Sequence, residues 1–177
     1  MKKISFLLIF AIAVMLLFGS DAYCQAAPLM NKEKLNKSVI VSSNTDNLAL
    51  ENIKAANAKM YRDFSKKFKD ASDIQVDVIN KKTMITCLKD GKKSRVVYTK
   101  KGICQHTVTT YGNEQLPEHI RNQIEFAYPR YSIFGSVIEV TASNKTAHLV
   151  TIEDKTSWKR VRVVDGEMDV YEEYQKR

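Results

Sequence analysis

Glycine is scarce in this chain, six residues in 177, and nowhere clustered. No glycine-rich phosphate loop can be assembled from it, and no serine sits in a glycine-flanked nucleophile elbow. Histidine and cysteine are as sparse, three of each, and none falls at the spacing of a zinc motif. Only one long apolar run exists, Phe6 to Phe18, which is shorter than the roughly 20 residues of a membrane span. These absences remove the common phosphate-binding, serine-hydrolase, zinc and multi-span membrane classes. They leave a binding role as the best-supported kind of activity, with no cofactor and no metal.

What is present begins with an export signal. Lys2 and Lys3 precede the apolar run, and small and polar residues follow from Gly19 to Ala27. The pattern predicts a signal peptide over residues 1–24, with cleavage after Ala22, Cys24 or Ala26. A lipoprotein would be acylated at Cys24, but the preceding Tyr23 is bulky where a small residue is wanted. The mature chain is then about 150 residues, enough for one domain with a proper core. It is expected in the periplasm or outside the cell, with no stable membrane span. Removing residues 1–24 takes away Lys2, Lys3 and Asp21, so the net charge falls only from +8 to +7. A basic excess favours an acidic partner, an anionic lipid surface or an acidic cell-wall polymer. Nucleic acid is not an expected partner, since the chain is exported and lacks a nucleic-acid motif.

Residues 25–46 read as a disordered tether: Lys32, Lys34 and Lys37 lie among polar residues and a Ser42-Ser43-Asn44-Thr45-Asp46 run follows. Residues 47–177 read as the folded domain. Ile53, Ala56, Met60, Phe64 and Phe68 recur at helical spacing and predict one helix over 47–69, capped by Thr45 or Asp46. Alternation then predicts strands over 74–78, 83–88, 95–99 and 103–110, with turns at Asn80-Lys81, Asp90-Gly91 and Lys100-Lys101-Gly102. Pro117 opens a second helix, Glu118 suits its positive end, and Pro129 stops it. Four further strands follow over 137–141, 146–153, 159–164 and 167–174.

The same plan is thus written twice. Matching the turn Asp90-Gly91 to Asp154-Lys155 places Gly102 on Gly166 and Leu88 on Ile152. The expected fold class is α+β: two helix-plus-antiparallel-meander repeats, with the helices packed on one face of the sheet and the other face left to water or a partner. A meander also sets the cysteines apart. Cys87 and Cys104 fall two strands from one another, roughly 9–10 Å, beyond the roughly 7 Å a disulfide allows. Two free thiols are expected even in an oxidising compartment.

The segments Leu116-Pro117-Glu118, Tyr128-Pro129 and Val163-Val164-Asp165-Gly166-Glu167 together resemble the PepSY-like family of exported bacterial proteins, described as β-lactamase-inhibitor-like. The first half fits through Phe64, Phe68, Asp90-Gly91 and Lys101-Gly102, so the resemblance covers about residues 52–174. It implies a two-layer α+β fold of tandem repeats without enzyme activity. It also implies a role in binding and restraining peptidases or other exported enzymes. One departure stands out: a tryptophan is often expected on the first strand after the helix, where this chain has Ile74-Gln75-Val76. The single tryptophan is Trp158.

Three groups of residues invite a functional reading. Cys104 and His106, two apart on a strand, are expected on one face, where they could pair as thiolate and imidazole; no further ligands accompany them. Asp165, Glu167, Asp169, Glu172 and Glu173 do not follow the calcium-loop pattern. Trp158 with Lys159, Arg160 and Arg162 at a hairpin tip is the candidate partner-binding group, an aromatic beside cations facing an acidic partner, to which Tyr98 and Tyr111 could add. The sequence therefore describes an exported, non-catalytic protein that recognises or inhibits another exported protein or enzyme. Two other readings stay open. One is an envelope module for a small or polymeric anionic ligand. The other is a cystatin-like or nuclear-transport-factor-like fold, one long helix wrapped by a curved sheet around a pocket.

Overall fold

The structure, a computed structural model, describes residues 42–177. The expected signal peptide and most of the expected tether lie outside the described residues. Two helices, α1 (Ser42–Ala56) and α2 (Ala58–Lys67), lead into strands β1 (Ser72–Ile79), β2 (Lys82–Lys89), β3 (Lys92–Thr99) and β4 (Cys104–Gly112). A short 3-10 turn, Asn113–Gln115, and helix α3 (Glu118–Ala127) follow. The chain closes with β5 (Ser132–Ala142), β6 (Lys145–Glu153), β7 (Ser157–Val164) and β8 (Glu167–Gln175). The eight strands form one sheet in sequence order, antiparallel throughout. One long helix wrapped by a sheet does not describe this arrangement.

Turn chemistry explains the meander. Asn80-Lys81, Asp90-Gly91, Ser143-Asn144 and Asp165-Gly166 all have both residues at positive φ, between 51° and 80°. That is the conformation of two-residue hairpin turns whose twist matches the strands, and Asn, Asp and Gly adopt it most easily. The β6–β7 connection is built differently. The Asp154 carboxylate accepts hydrogen bonds from the backbone N–H groups of Thr156 (2.8 Å) and Ser157 (2.7 Å) and from both hydroxyls.

These bonds hold the Asp154 carboxyl down at about 2 from its ordinary 3.8, the backbone bond of Thr156 contributing most. A depressed carboxyl stabilises the fold above its unfolded value, and that stability is lost as pH falls through the folded one. Asp154→Ala is accordingly expected to flatten the acid limb of stability between pH 3.8 and about 2. Urea midpoints measured across that window check it; an unchanged limb would count against the turn's role.

The expected single helix over 47–69 is in fact two. Asn57 interrupts it with φ −161° and ψ 103°, and its side chain caps α2 by accepting from Lys59 N and Met60 N, both at 3.0 Å. The tether expectation also ends early, because α1 already begins at Ser42. Asp46 does not cap that helix. Its carboxylate accepts from the backbone of Asp73 (3.2 Å) and Ile74 (2.7 Å), tying α1 to the start of β1.

The core forms two clusters. One joins Ile53, Met60 and Phe64 of the first two helices with Ile74, Ile85, Cys87, Val96 and Tyr98. The other joins Leu116, Ile120 and Ile124 with Tyr111, Val137, Val150, Ile152, Val161 and Val163. Strand pairing relates them: Ile85 opposes Val96, Val96 opposes Thr107, and Tyr111 opposes Val137. By alternation the strand residues of both clusters lie on one face of the sheet, called here the core face. A hydroxyl-rich seam separates the clusters on that face. Ser94 bonds Thr109 and Thr141 bonds Thr146, each at 3.0 Å. Glu139 accepts from Tyr111 (3.1 Å) and meets His148 Nε2 at 3.5 Å.

The thiols are free, as expected, and further apart than strand order alone required. Cys87 opposes Ser94 and Cys104 opposes Tyr98 on the intervening strand. They are therefore offset by four residues as well as two strands, about 16 Å in all. Burial pushes the Cys87 thiol up to about 11, against the opposing pull of Lys89. Maleimide is expected to reach Cys87 only after unfolding in concentrated urea. A Cys87–Cys104 disulfide seen by mass spectrometry would contradict the strand order.

Candidate functional site

The face opposite the two clusters carries the even-numbered residues of β7. Trp158, Arg160 and Arg162 stand there, whereas Lys159 alternates to the core face, with its ammonium 5.5 Å from the Tyr131 ring centroid. The four candidate residues are therefore split between faces. Tyr98 and Tyr111 do not join Trp158 either. Both are buried on the core face, with their hydroxyls donating to Asp63 (2.8 Å) and Glu139 (3.1 Å). Burial, then those carboxylates, pushes both phenols up from their ordinary range.

Register between β7 and β8 neutralises the cations. Arg162 holds Asp169 through two hydrogen bonds, 3.0 and 2.7 Å, in a forked arrangement. Arg160 meets Glu172 at 2.9 Å and Lys159 meets Glu173. The Glu173 carboxylate holds the Lys159 ammonium above its usual value. Trp158 opposes Tyr174 and stacks on it, centroids 4.2 Å apart and planes 23° apart. The acidic group near the C-terminus is thus largely engaged in ion pairs, Asp165 included, which meets Lys145 at 2.5 Å.

Cys104 and His106 are separated by a bulge. Tyr98 opposes Cys104 and Val97 opposes His106, which leaves Gln105 as an extra residue. Cys104 turns to the core face, its Sγ 4.0 Å from Thr107 Oγ1, and His106 turns away. The expected pairing of thiol and imidazole on one face fails for that reason. Burial lowers the His106 imidazole from its ordinary value, and Lys82 lowers it further.

The cations that remain unneutralised lie elsewhere. Residues 45–112 hold fourteen Lys and Arg against seven Asp and Glu, a net +7; residues 113–177 hold nine against eleven, a net −2. Among the described residues the first stretch has a single ion pair, Lys67–Asp63, while the second has seven. On the face away from the core clusters, Lys82, Lys93 and Arg95 are exposed and have no acidic partner among the described residues. Lys93 opposes Leu88 and Thr110, Arg95 opposes Thr86 and Val108, and Lys82 opposes Thr99.

Between Arg95 and Lys82, half-buried Met84 opposes Val97, which opposes His106. The apolar ground continues through Val108 to buried Val140, Ala147 and Leu149, which belong to neither core cluster. Reading motif by motif passed over this group because no single residue in it is unusual. The charge difference between the two stretches was the signal that pointed there.

No family model matches the chain. No curated protein matches it either. Among solved structures, the chain is similar to a BLIP-like protein from Bacteroides fragilis, at 16% identity and a TM-score of 0.51, over 67% of this chain and 85% of that one. A DUF2874 family protein from Bacteroides uniformis aligns at 11% identity and a TM-score of 0.49, over 68% of this chain and 89% of that one. A protein from Bacteroides eggerthii, described as a candidate periplasmic protein, aligns at 13% and 0.48, over 68% and 88%. The first shows that the chain has a BLIP-like fold, a mixed α+β architecture with an eight-stranded antiparallel sheet. Among the described residues no helix is long and apolar enough to cross a membrane.

Proposed function

We propose that this chain is an exported, non-catalytic binding protein that recognises another exported protein and, where that partner is an enzyme, restrains it. The recognising surface is the sheet face opposite the two core clusters. One observation carries the reading: that face sets half-buried Met84, Val97 and Val108 beside cations that have no ion-pair partner among the described residues. Export rests on the N-terminal signal pattern, and the name of the Bacteroides fragilis neighbour agrees with a binding role. The repeated helix-plus-meander plan of the PepSY-like family supplies the same reading of the architecture, a duplicated unit with its helices on one side. No cofactor or metal enters it.

The test is a photo-crosslinking amino acid placed at Thr86 on this face, with Lys66 on α2 as the control position, in mature protein exposed to the native envelope fraction. A discrete protein adduct at 86 and none at 66 is expected. Adducts only at 66, or at neither position, would remove the proposed surface.

A further inference from the structure

Cation supply and cation demand are separated in this sheet. Every basic side chain on β7 has an acid on β8 directly across from it. β2 and β3 lack that arrangement: the neighbouring β1 brings Asp77 opposite Met84 and sets Asp73 in the cavity that Lys93 lines, and neither makes an ion pair among the described residues. Three exposed cations therefore stand along about 20 Å of the β2–β3 pair, since Lys93 to Arg95 is two residues and Arg95 to the level of Lys82 is four more. Met84, Val97 and Val108 lie between and beside them. Lys93 and Arg95 stand two residues apart, about 7 Å, without an ion-pair partner among the described residues, so an anionic occupant gains attraction to both.

We propose that Lys82, Lys93 and Arg95 form a cationic subsite that takes a carboxylate-bearing, partly apolar segment of a protein partner, its apolar side chains resting on Met84, Val97 and Val108. This deepens the preceding reading and rests on it. A protein segment, rather than a phosphate polymer or a lipid surface, fits because the cations are interleaved with apolar side chains along a strand. Side chains of an extended peptide that share a face recur every second residue, as Lys93, Arg95 and Val97 do, so carboxylates followed by apolar groups at every second position meet the cations and then the valines. The subsite also differs from the Trp158 group, whose arginines already hold their acids.

The probe is a fluorescent eight-residue peptide, Glu-Ser-Glu-Ser-Leu-Ser-Leu-Ser, whose glutamates and leucines share one face when extended, titrated into the mature protein by anisotropy. Wild type is expected to bind it, with affinity falling several-fold when salt rises from about 0.05 to 0.5 M. Lys93→Glu/Arg95→Glu is expected to lose at least tenfold, and Lys66→Glu/Lys69→Glu, an equal charge change on the helical side, to lose less than threefold. Circular dichroism melts confirm that both variants fold. Equal losses in the two variants would mean a diffuse effect of net charge and overturn the subsite. Absence of peptide binding, with wild type retained on phosphatidylglycerol vesicles or on an anionic cell-wall polymer, would overturn it as well.

A last arm separates this inference from its foundation. In the photo-crosslinking experiment at Thr86, an adduct undiminished by Lys93→Glu/Arg95→Glu keeps the surface and sinks the subsite, and an adduct lost with that variant supports both. No adduct from wild type sinks the surface itself.

Discussion

Gly102→Ala is expected to destabilise the fold by about 2–3 kcal/mol, far more than a turn substitution on an exposed hairpin normally costs. Two effects combine. Gly102 has φ +71°, where a Cβ costs on the order of 1 kcal/mol. A Cβ built there falls 2.5 Å from Asn57 Oδ1 and 3.0 Å from its Cγ and Nδ2. Asn57 cannot yield freely, because it is fastened on both sides. Its Oδ1 caps α2 through Lys59 and Met60, and its Nδ2 donates to Lys100 O at 3.1 Å. The β3–β4 turn therefore docks on the break between the two helices, and displacing Asn57 undoes a cap worth roughly 1 kcal/mol.

A double-mutant cycle isolates the second effect. Asn57→Ala alone should cost about 1–2 kcal/mol, and the double variant clearly less than the sum, since the three atoms nearest the new methyl belong to the Asn57 side chain and the cap is already lost. Strict additivity in urea melts would show that the two residues do not act on one another and that the cost is conformational alone.

The interruption at Asn57 marks where local reading reaches its limit. Ile53, Met60, Phe64 and Phe68 keep helical spacing straight through it, so the apolar period gives no warning, and an asparagine is only weakly unfavourable inside a helix. At the break, Asn57 caps the next helix locally and donates to the carbonyl of Lys100, 43 residues on, a partner that local spacing does not contain. The strands were far more legible. Their alternation and the Asn-Lys, Asp-Gly and Gly-containing turns located all eight, although β5 begins five residues before its expected start at Val137, because hairpin pairing is set by neighbours in sequence. Bulges are different. Gln105 is an ordinary strand residue until its pairing with β3 is known, and that one extra residue sends Cys104 and His106 to opposite faces.

The candidate site suffered the same way. Trp158, Arg160 and Arg162 do share a face, as alternation predicts, but whether an arginine is available depends on the strand beside it. Asp169 and Glu172 come into register only through the β7–β8 pairing, which itself contains a bulge. The exposed cations of β2 and β3 became visible by the converse observation, a strand beside them without matching acids. Charge that matters for binding is a difference between strands, and a strand read alone does not contain it.

Phe64→Ala carries the largest expected effect, about 3–5 kcal/mol. Phe64 has no exposed surface, stacks on Phe68 with centroids 5.1 Å apart, and sits among Ile53, Met60, Ile85, Val96 and Tyr98. Truncation removes an entire ring from the first cluster, and the surrounding residues are anchored in strands or helices that cannot collapse onto the space. A loss of this size is on the order of half a small domain's stability, so the melting temperature should fall by about 10–20 °C.

The manner of unfolding is the sharper test. The two clusters share no residue and a polar seam divides them, which invites separate unfolding of the two ends of the sheet. The pairing argues the other way. Strand β4 brings Cys104 to the first cluster and Tyr111 to the second, and it is joined to β5 by seven consecutive residue pairs from His106–Ala142 to Gly112–Ser136. Freeing one end would strip β4 of one side of its ladder and leave buried backbone groups unpaired. Hydrogen exchange of Phe64→Ala should accordingly show amides of β6 and β7 losing protection in step with those of β2 and β3. Retention of full protection in β6 and β7 alone would mean that the seam, and not the ladder, sets the cooperative unit.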